Sequence, residues 1–146
     1  SRLDPLQAVI LSYHLTRLEE FTETRRGIAR EYKEAINSSG VFNVGPIDVS
    51  ESVWHHFVIR VNERAEAQNW FETMGVSTDI HYPYSAYKLS PVRDFLPSAY
   101  SESSFDNSDA LSDTVLSLPI GPWMDSSQIS HVADVLSKIP ESYISR

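Results

Sequence analysis

Apolar residues fall at helical spacing along some stretches of this chain and alternate with polar residues along others, and the two periods divide it into elements. Leu6, Val9, Ile10 and Tyr13 form the first helical stripe. Asp4-Pro5-Leu6-Gln7 opens it: Asp4 can cap, Pro5 suits the first helical position, and Gln7 can complete a capping box. Thr16 with Glu19 three residues on predicts a second capping box. Leu18, Phe21, Ile28, Tyr32 and Ile36 mark the buried face of the longer helix that follows. Arg25, Arg26, Arg30 and Lys33 interleave there with glutamates, the pattern of a solvated face laced with ion pairs. Asn37-Ser38-Ser39-Gly40 ends this helix, and Gly45-Pro46 marks a turn in the irregular stretch beyond it.

Val53 to Val61 alternates with period two. Val53, His55, Phe57, Ile59 and Val61 share one face, and Trp54, His56, Val58 and Arg60 share the other. Both faces are largely apolar, which predicts a central strand. Asn62 is placed to cap a third helix with Ala67, Trp70, Phe71 and Met74 inward, and Gly75 stops it. Val76 to Tyr82 alternates again and predicts a second strand, which Pro83 ends because proline has no N–H for a sheet ladder. His81 and Tyr82 therefore sit where a strand leaves the sheet, a position suited to meeting a ligand.

From Tyr84 to Ser104 the chain is rich in Pro, Ser and Tyr, with one helical turn predicted near Pro91 to Phe95. A helix from Ser104 or Asp106 to Thr114 leads into a short buried strand, Val115 to Leu118, closed by Pro119-Ile120-Gly121-Pro122. Asp125 with Gln128 makes a further capping box for a last helix that buries Ile129, Val132, Val135, Leu136 and Ile139.

Composition narrows the function classes. The net charge of −8 argues against nonspecific binding to nucleic acid or anionic membrane, which needs basic patches. There is no cysteine, so disulfides and thiolate chemistry are excluded, and a reducing compartment, the cytoplasm, is the expectation. No stretch is apolar enough to span a bilayer, and the first residues lack the parts of a signal peptide.

Candidate chemistry is sparse. Adjacent His55 and His56 would point to opposite faces of a strand and could not share one metal, and no carboxylate stands at a metal-ligand spacing from His81. His14 and His131 read as ordinary helix residues. No Gly-x-Ser-x-Gly elbow and no phosphate-cradling glycine loop is present. The lysines, Lys33, Lys88 and Lys138, lie on charged helix faces or in a loop, with no sign of an activated amine.

Four stretches taken together, Ser1 to Ala8, Val53 to Arg60, Ile80 to Pro83 and Leu116 to Pro122, resemble in order and spacing the C-terminal part of the DegT/DnrJ/EryC1/StrS aminotransferases. The resemblance runs from Ser1 to about Ile139. It implies an α/β fold, the small C-terminal domain of fold type I enzymes: a small sheet packed with helices, preceded by a long N-terminal helical segment. Residues 1–36 would link to a large domain, and 37–146 would form the small one. It further implies a pyridoxal phosphate enzyme, homodimeric, that aminates a nucleotide-linked keto sugar with glutamate or glutamine as donor. The Schiff-base lysine and most cofactor contacts lie, in the family, before the Ser-Arg-Leu-Asp motif. This chain would thus be a fragment without a catalytic residue of its own.

By the same resemblance Arg2 would meet substrate phosphate at the subunit boundary. His81 and Tyr82, of the His-Tyr-Pro motif, and His55, on the first strand, would line the substrate cleft. Where family members often carry a second histidine after His-Tyr-Pro, this chain reads Tyr84-Ser85-Ala86-Tyr87-Lys88, which leaves sugar and nucleotide open. The competing readings are a non-catalytic binding or dimerisation module and, further off, a metal-dependent hydrolase.

Overall fold

The structure is a computed structural model and describes residues 3–46, 48–95 and 105–144. Helices α1 (Pro5–Leu15) and α2 (Leu18–Ser39) come first. Strands β1 (Phe42–Asn43) and β2 (Phe57–Arg60) follow, then α3 (Arg64–Thr73), α4 (Ser90–Arg93), α5 (Asp106–Thr114), β3 (Val115–Leu118) and α6 (Ser126–Ser137). The sheet is small and antiparallel, in the order β1-β2-β3, with β2 central as its two apolar faces predict. Phe57 pairs with Leu118 and Ile59 with Leu116. The small sheet with packed helices, preceded by a helical segment, is the architecture that the resemblance implies.

The core lies where α2, α3 and α6 meet the sheet. Ile28, Tyr32 and Ile36 of α2, Phe57 and Ile59 of β2, Phe71 of α3, Leu116 of β3 and Val135 and Leu136 of α6 are all buried in one cluster. Tyr32 spends its hydroxyl on the carbonyl of Pro119 at 2.9 Å, and burial raises its pKa, so the phenol stays neutral. At the start of α6 the Asp125–Gln128 capping box forms in full: Asp125 accepts from the Gln128 N–H at 2.9 Å, and the Gln128 side chain accepts from the Asp125 N–H at 3.0 Å. Asp4 caps α1 through the Leu6 N–H at 2.8 Å.

Several expectations give way. Thr16 does not cap α2; its hydroxyl donates to the carbonyl of Tyr13 at 2.7 Å, and Arg17 occupies the cap without a side-chain bond. Asn62 does not cap α3 either. Its amide reaches Ile144, and Glu63, at φ 45°, takes the position. The strand expected over Val53 to Val61 is confined to Phe57–Arg60, because Trp54 adopts φ 49° and turns the chain. The strand expected over Val76 to Tyr82 is reduced to one bridge, Asp79 with Ser117, before Tyr82 turns at φ 59°.

The stripe of α1 is uncovered: Leu6, Val9, Ile10 and Tyr13 are all exposed, as are Leu11 and Leu15 of the same helix and Leu18 at the start of α2. Among the described residues no helix is long and apolar enough to cross a membrane.

One carboxylate of α5 ties down the turn at Ser85, Tyr87 and Lys88. Asp109 accepts from Ser85 Oγ at 2.5 Å and Tyr87 OH at 2.6 Å, and its Oδ2 lies 2.9 Å from Lys88 Nζ. These bonds, Ser85's foremost, hold its pKa down to about 2. A carboxylate depressed on folding stabilises the folded state above its unfolded value and loses that contribution as pH falls. Asp109→Asn is therefore expected to melt below the wild type at neutral pH. That difference should close as pH falls from 3.8 toward about 2. A pH series of thermal melts checks this, and a difference that does not change with pH would contradict it.

Candidate functional site

A cleft of about 600 Å³ opens at the edge of the sheet, where the segment leaving α3 runs past β3 toward α6. Four of the chain's five histidines line it: His55, His56, His81 and His131. Local backbone geometry gathers the first three. After the turn at Trp54 the chain bends at His55 and enters β2 only at Phe57, so the two neighbouring imidazoles are not held on opposite faces as in a regular strand. Their ring centroids lie 4.2 Å apart. His56 also lies against His81, centroid to centroid 3.8 Å. The expectation that His55 and His56 diverge is thereby corrected. Among the described residues no group of three or more His, Asp or Glu is arranged to hold a metal ion.

His81 is oriented from both ring nitrogens. Nδ1 is 2.9 Å from Ser117 Oγ, and Nε2 is 3.7 Å from Asp79 Oδ2. The single Asp79–Ser117 bridge thus sets both partners of the ring, which is how a one-pair sheet contact comes to position a side chain. Burial first, then the neighbouring His81 and His55, lower the pKa of His56 from the ordinary 6.5. On the far wall, His131 Nε2 is 2.9 Å from the carbonyl of Met74, tying α6 to the end of α3. Gly75 follows at φ 76°, the left-handed turn that glycine supplies most easily.

A second cleft, of about 390 Å³, lies on the other side of the same wall. His56, His81 and Ser117 line both, while Tyr82 and Tyr84 border only the second. Tyr82 is 82% exposed at its mouth.

Of the residues singled out from sequence, His55 and His81 therefore meet in one cleft through His56, and Tyr82 stands on the adjoining side. Arg2 lies outside the described residues. Sequence reasoning passed over His56, Ser117, Arg25 and Trp123. Arg25 was hidden in a run of helix charges, yet it lines the first cleft from α2. Trp123 stands at the rim, largely exposed, with its ring packed so closely on Gly121 that a Cβ there would fall 2.4 Å from it. The Gly121-Pro122 turn before an aromatic was the one local signal that could have pointed to it.

Comparison with known proteins places this geometry. A dTDP-3-amino-3,6-dideoxy-alpha-D-galactopyranose transaminase of Aneurinibacillus thermoaerophilus is 35% identical over 138 residues, 94% of this chain and 37% of that protein. A dTDP-3-amino-3,4,6-trideoxy-alpha-D-glucose transaminase of Streptomyces venezuelae is 32% identical over 97% of this chain and 37% of its own length. The crystal structure of S. venezuelae DesV in complex with a ketimine intermediate superposes with a TM-score of 0.82 at 28% identity, covering 94% of this chain and 36% of that one. The chain thus spans a little over a third of the length of the relatives it matches. The profile of the DegT/DnrJ/EryC1/StrS aminotransferase family matches residues 1–137, and the chain belongs to that family.

Proposed function

We propose that this chain works as the C-terminal part of a pyridoxal-phosphate-dependent transaminase that aminates a nucleotide-linked keto sugar. Glutamate or glutamine donates the amino group, and the whole enzyme is a cytoplasmic homodimer. The observation that carries this reading is the histidine-lined cleft in a chain of this family. Imidazoles, a serine hydroxyl and an arginine offer the donors that sugar hydroxyls and phosphates need. In this arrangement residues 1–36 lead from a large domain, and 37–146 form the small domain that closes one side of the substrate site. The uncovered apolar face of α1 supports the division, since such a stripe calls for a partner surface.

His81 and Tyr82, on the two sides of the shared wall, contact substrate in this reading, with His55 behind them and Arg2 at the subunit boundary. None of them acts on the reacting atoms. Nor does the chain's own chemistry fit the cofactor. Lys33 donates to the carbonyl of Pro46 and lies over the Trp54 ring, Lys88 pairs with Asp109, and Lys138 pairs with Asp134. No lysine lines the cleft. The residue that holds pyridoxal phosphate, and every step through it, belongs to the large domain. This chain's share is binding, orientation and exclusion of water.

The test uses the full-length protein that carries this chain. A visible absorbance band of bound cofactor, abolished by borohydride reduction, together with turnover of a nucleotide-linked keto sugar, is the expected result. A protein that binds the sugar nucleotide with no such band would instead be the non-catalytic module.

A further inference from the structure

The arginines at the cap and along the body of α2 fall into two groups. Arg17 pairs with Glu20 at 2.8 Å, Arg26 with Glu23 at 2.6 Å, and Arg30 reaches Glu23 at 3.9 Å. Arg26 further donates to the carbonyls of Ser50 and Ser52. Arg25 has no carboxylate partner among the described residues, and its Nε is buried without any acceptor. It is also the arginine that lines the first cleft. A buried N–H with no acceptor is costly to a fold, so the Nε of this half-buried side chain calls for an acceptor that the described residues do not provide.

The surroundings fit an anion. In a chain of net charge −8, the cleft's lining holds Arg25 and four histidines against a single carboxylate. That carboxylate, Asp79, is already engaged by the Ile80 N–H at 2.8 Å and faces His81. From α6 the lining adds Gln128 and His131, each fixed by a backbone contact.

We propose that the Arg25 end of the cleft is an oxyanion subsite in which the guanidinium binds a phosphoryl or carboxylate group of a substrate. A guanidinium fork binds either group bidentately. In the transaminase reading, on which the source of the anion rests, the group comes from the diphosphate of the sugar nucleotide or from a carboxylate of the amino donor. Two arms separate these sources: calorimetric titration of the full-length protein with inorganic pyrophosphate, and with glutamate.

Arg25→Gln is expected to weaken binding of one of the two by about tenfold to a hundredfold, the loss of a charge-assisted bond. The arm affected names the source. Arg25→Lys should restore only part of the affinity, because an ammonium lacks the fork. The melting temperature of Arg25→Gln should stay level or rise, since a buried, unsatisfied donor is removed. A structural arginine would show the reverse. Unchanged affinity in both arms, no binding of either probe by the wild type, or a lowered melting temperature would overturn the proposal. Its failure is separable from that of the transaminase reading, which stands or falls on the cofactor band: Arg25-dependent binding without a band keeps the subsite and loses the enzyme.

Discussion

Trp54→Ala is expected to destabilise the fold by about 3–5 kcal/mol, the cost of deleting a buried tryptophan. Against a total of about 5–15 kcal/mol for a domain, that leaves little margin. The ring is 2% exposed and stacks on Phe57 with centroids 5.4 Å apart. Its Nε1 donates to the carbonyl of Val49 at 2.8 Å, fixing the loop before β2. The same residue makes the left-handed turn that brings His55 and His56 together, so its loss reaches the cleft as well as the core. Trp54→Phe, which keeps an aromatic ring but drops the Nε1 donor, should cost nearer 1 kcal/mol. Denaturant titration of the two variants measures both. An alanine variant within about 1 kcal/mol of wild type would mean that the stack and its turn contribute far less than their burial implies.

The second large effect is on function. On the transaminase reading proposed above, His81→Ala in the full-length protein is expected to lower kcat/KM for the sugar nucleotide by about tenfold to a hundredfold, mainly through KM. That pattern marks a binding contact made equally in ground and transition states. His81 is suited to such a test because its side chain is 35% exposed, so removing it opens no core cavity. His81→Asn, which retains a polar group near Ser117 Oγ, should recover part of the loss. Steady-state kinetics at varied sugar nucleotide reads the split. A fall confined to kcat would put His81 in the chemistry, and unchanged constants would remove it from the site.

What could be read from the chain divides along the range of the interactions. The Asp125–Gln128 box and the stripe Ile28, Tyr32, Ile36 are settled within a few residues of themselves, and both hold. Val53 to His56 alternates as a strand should, but a pattern of side chains carries no notice that Trp54 will trade extended backbone for burial of its ring. The Thr16 hydroxyl was read as an acceptor for an N–H of the following helix, but it donates back to the carbonyl of Tyr13, and Thr16 closes α1 instead of opening α2. For α1 the stripe was visible and its cover was not, since nothing in the described residues packs on it.

The site was half legible for the same reason. His81 could be singled out because the His-Tyr-Pro run and Pro83 mark a chain end of a sheet. Arg25 could not, because all the arginines of α2 look alike in sequence, and only the fold decides which one is left without a glutamate.

The wall between the two clefts has one more consequence. His56, His81 and Ser117 face both spaces, and the ring of His81 is held by the Ser117 hydroxyl, a carboxylate 3.7 Å away and the neighbouring ring of His56. A ligand that turns that ring from one side alters the shape offered on the other. Thermodynamic linkage then requires reciprocity: whatever factor the first ligand imposes on the affinity of the second, the second imposes on the first. Two neighbouring spaces that share the His81 ring as a wall would, with a ligand in each, be linked in that sense.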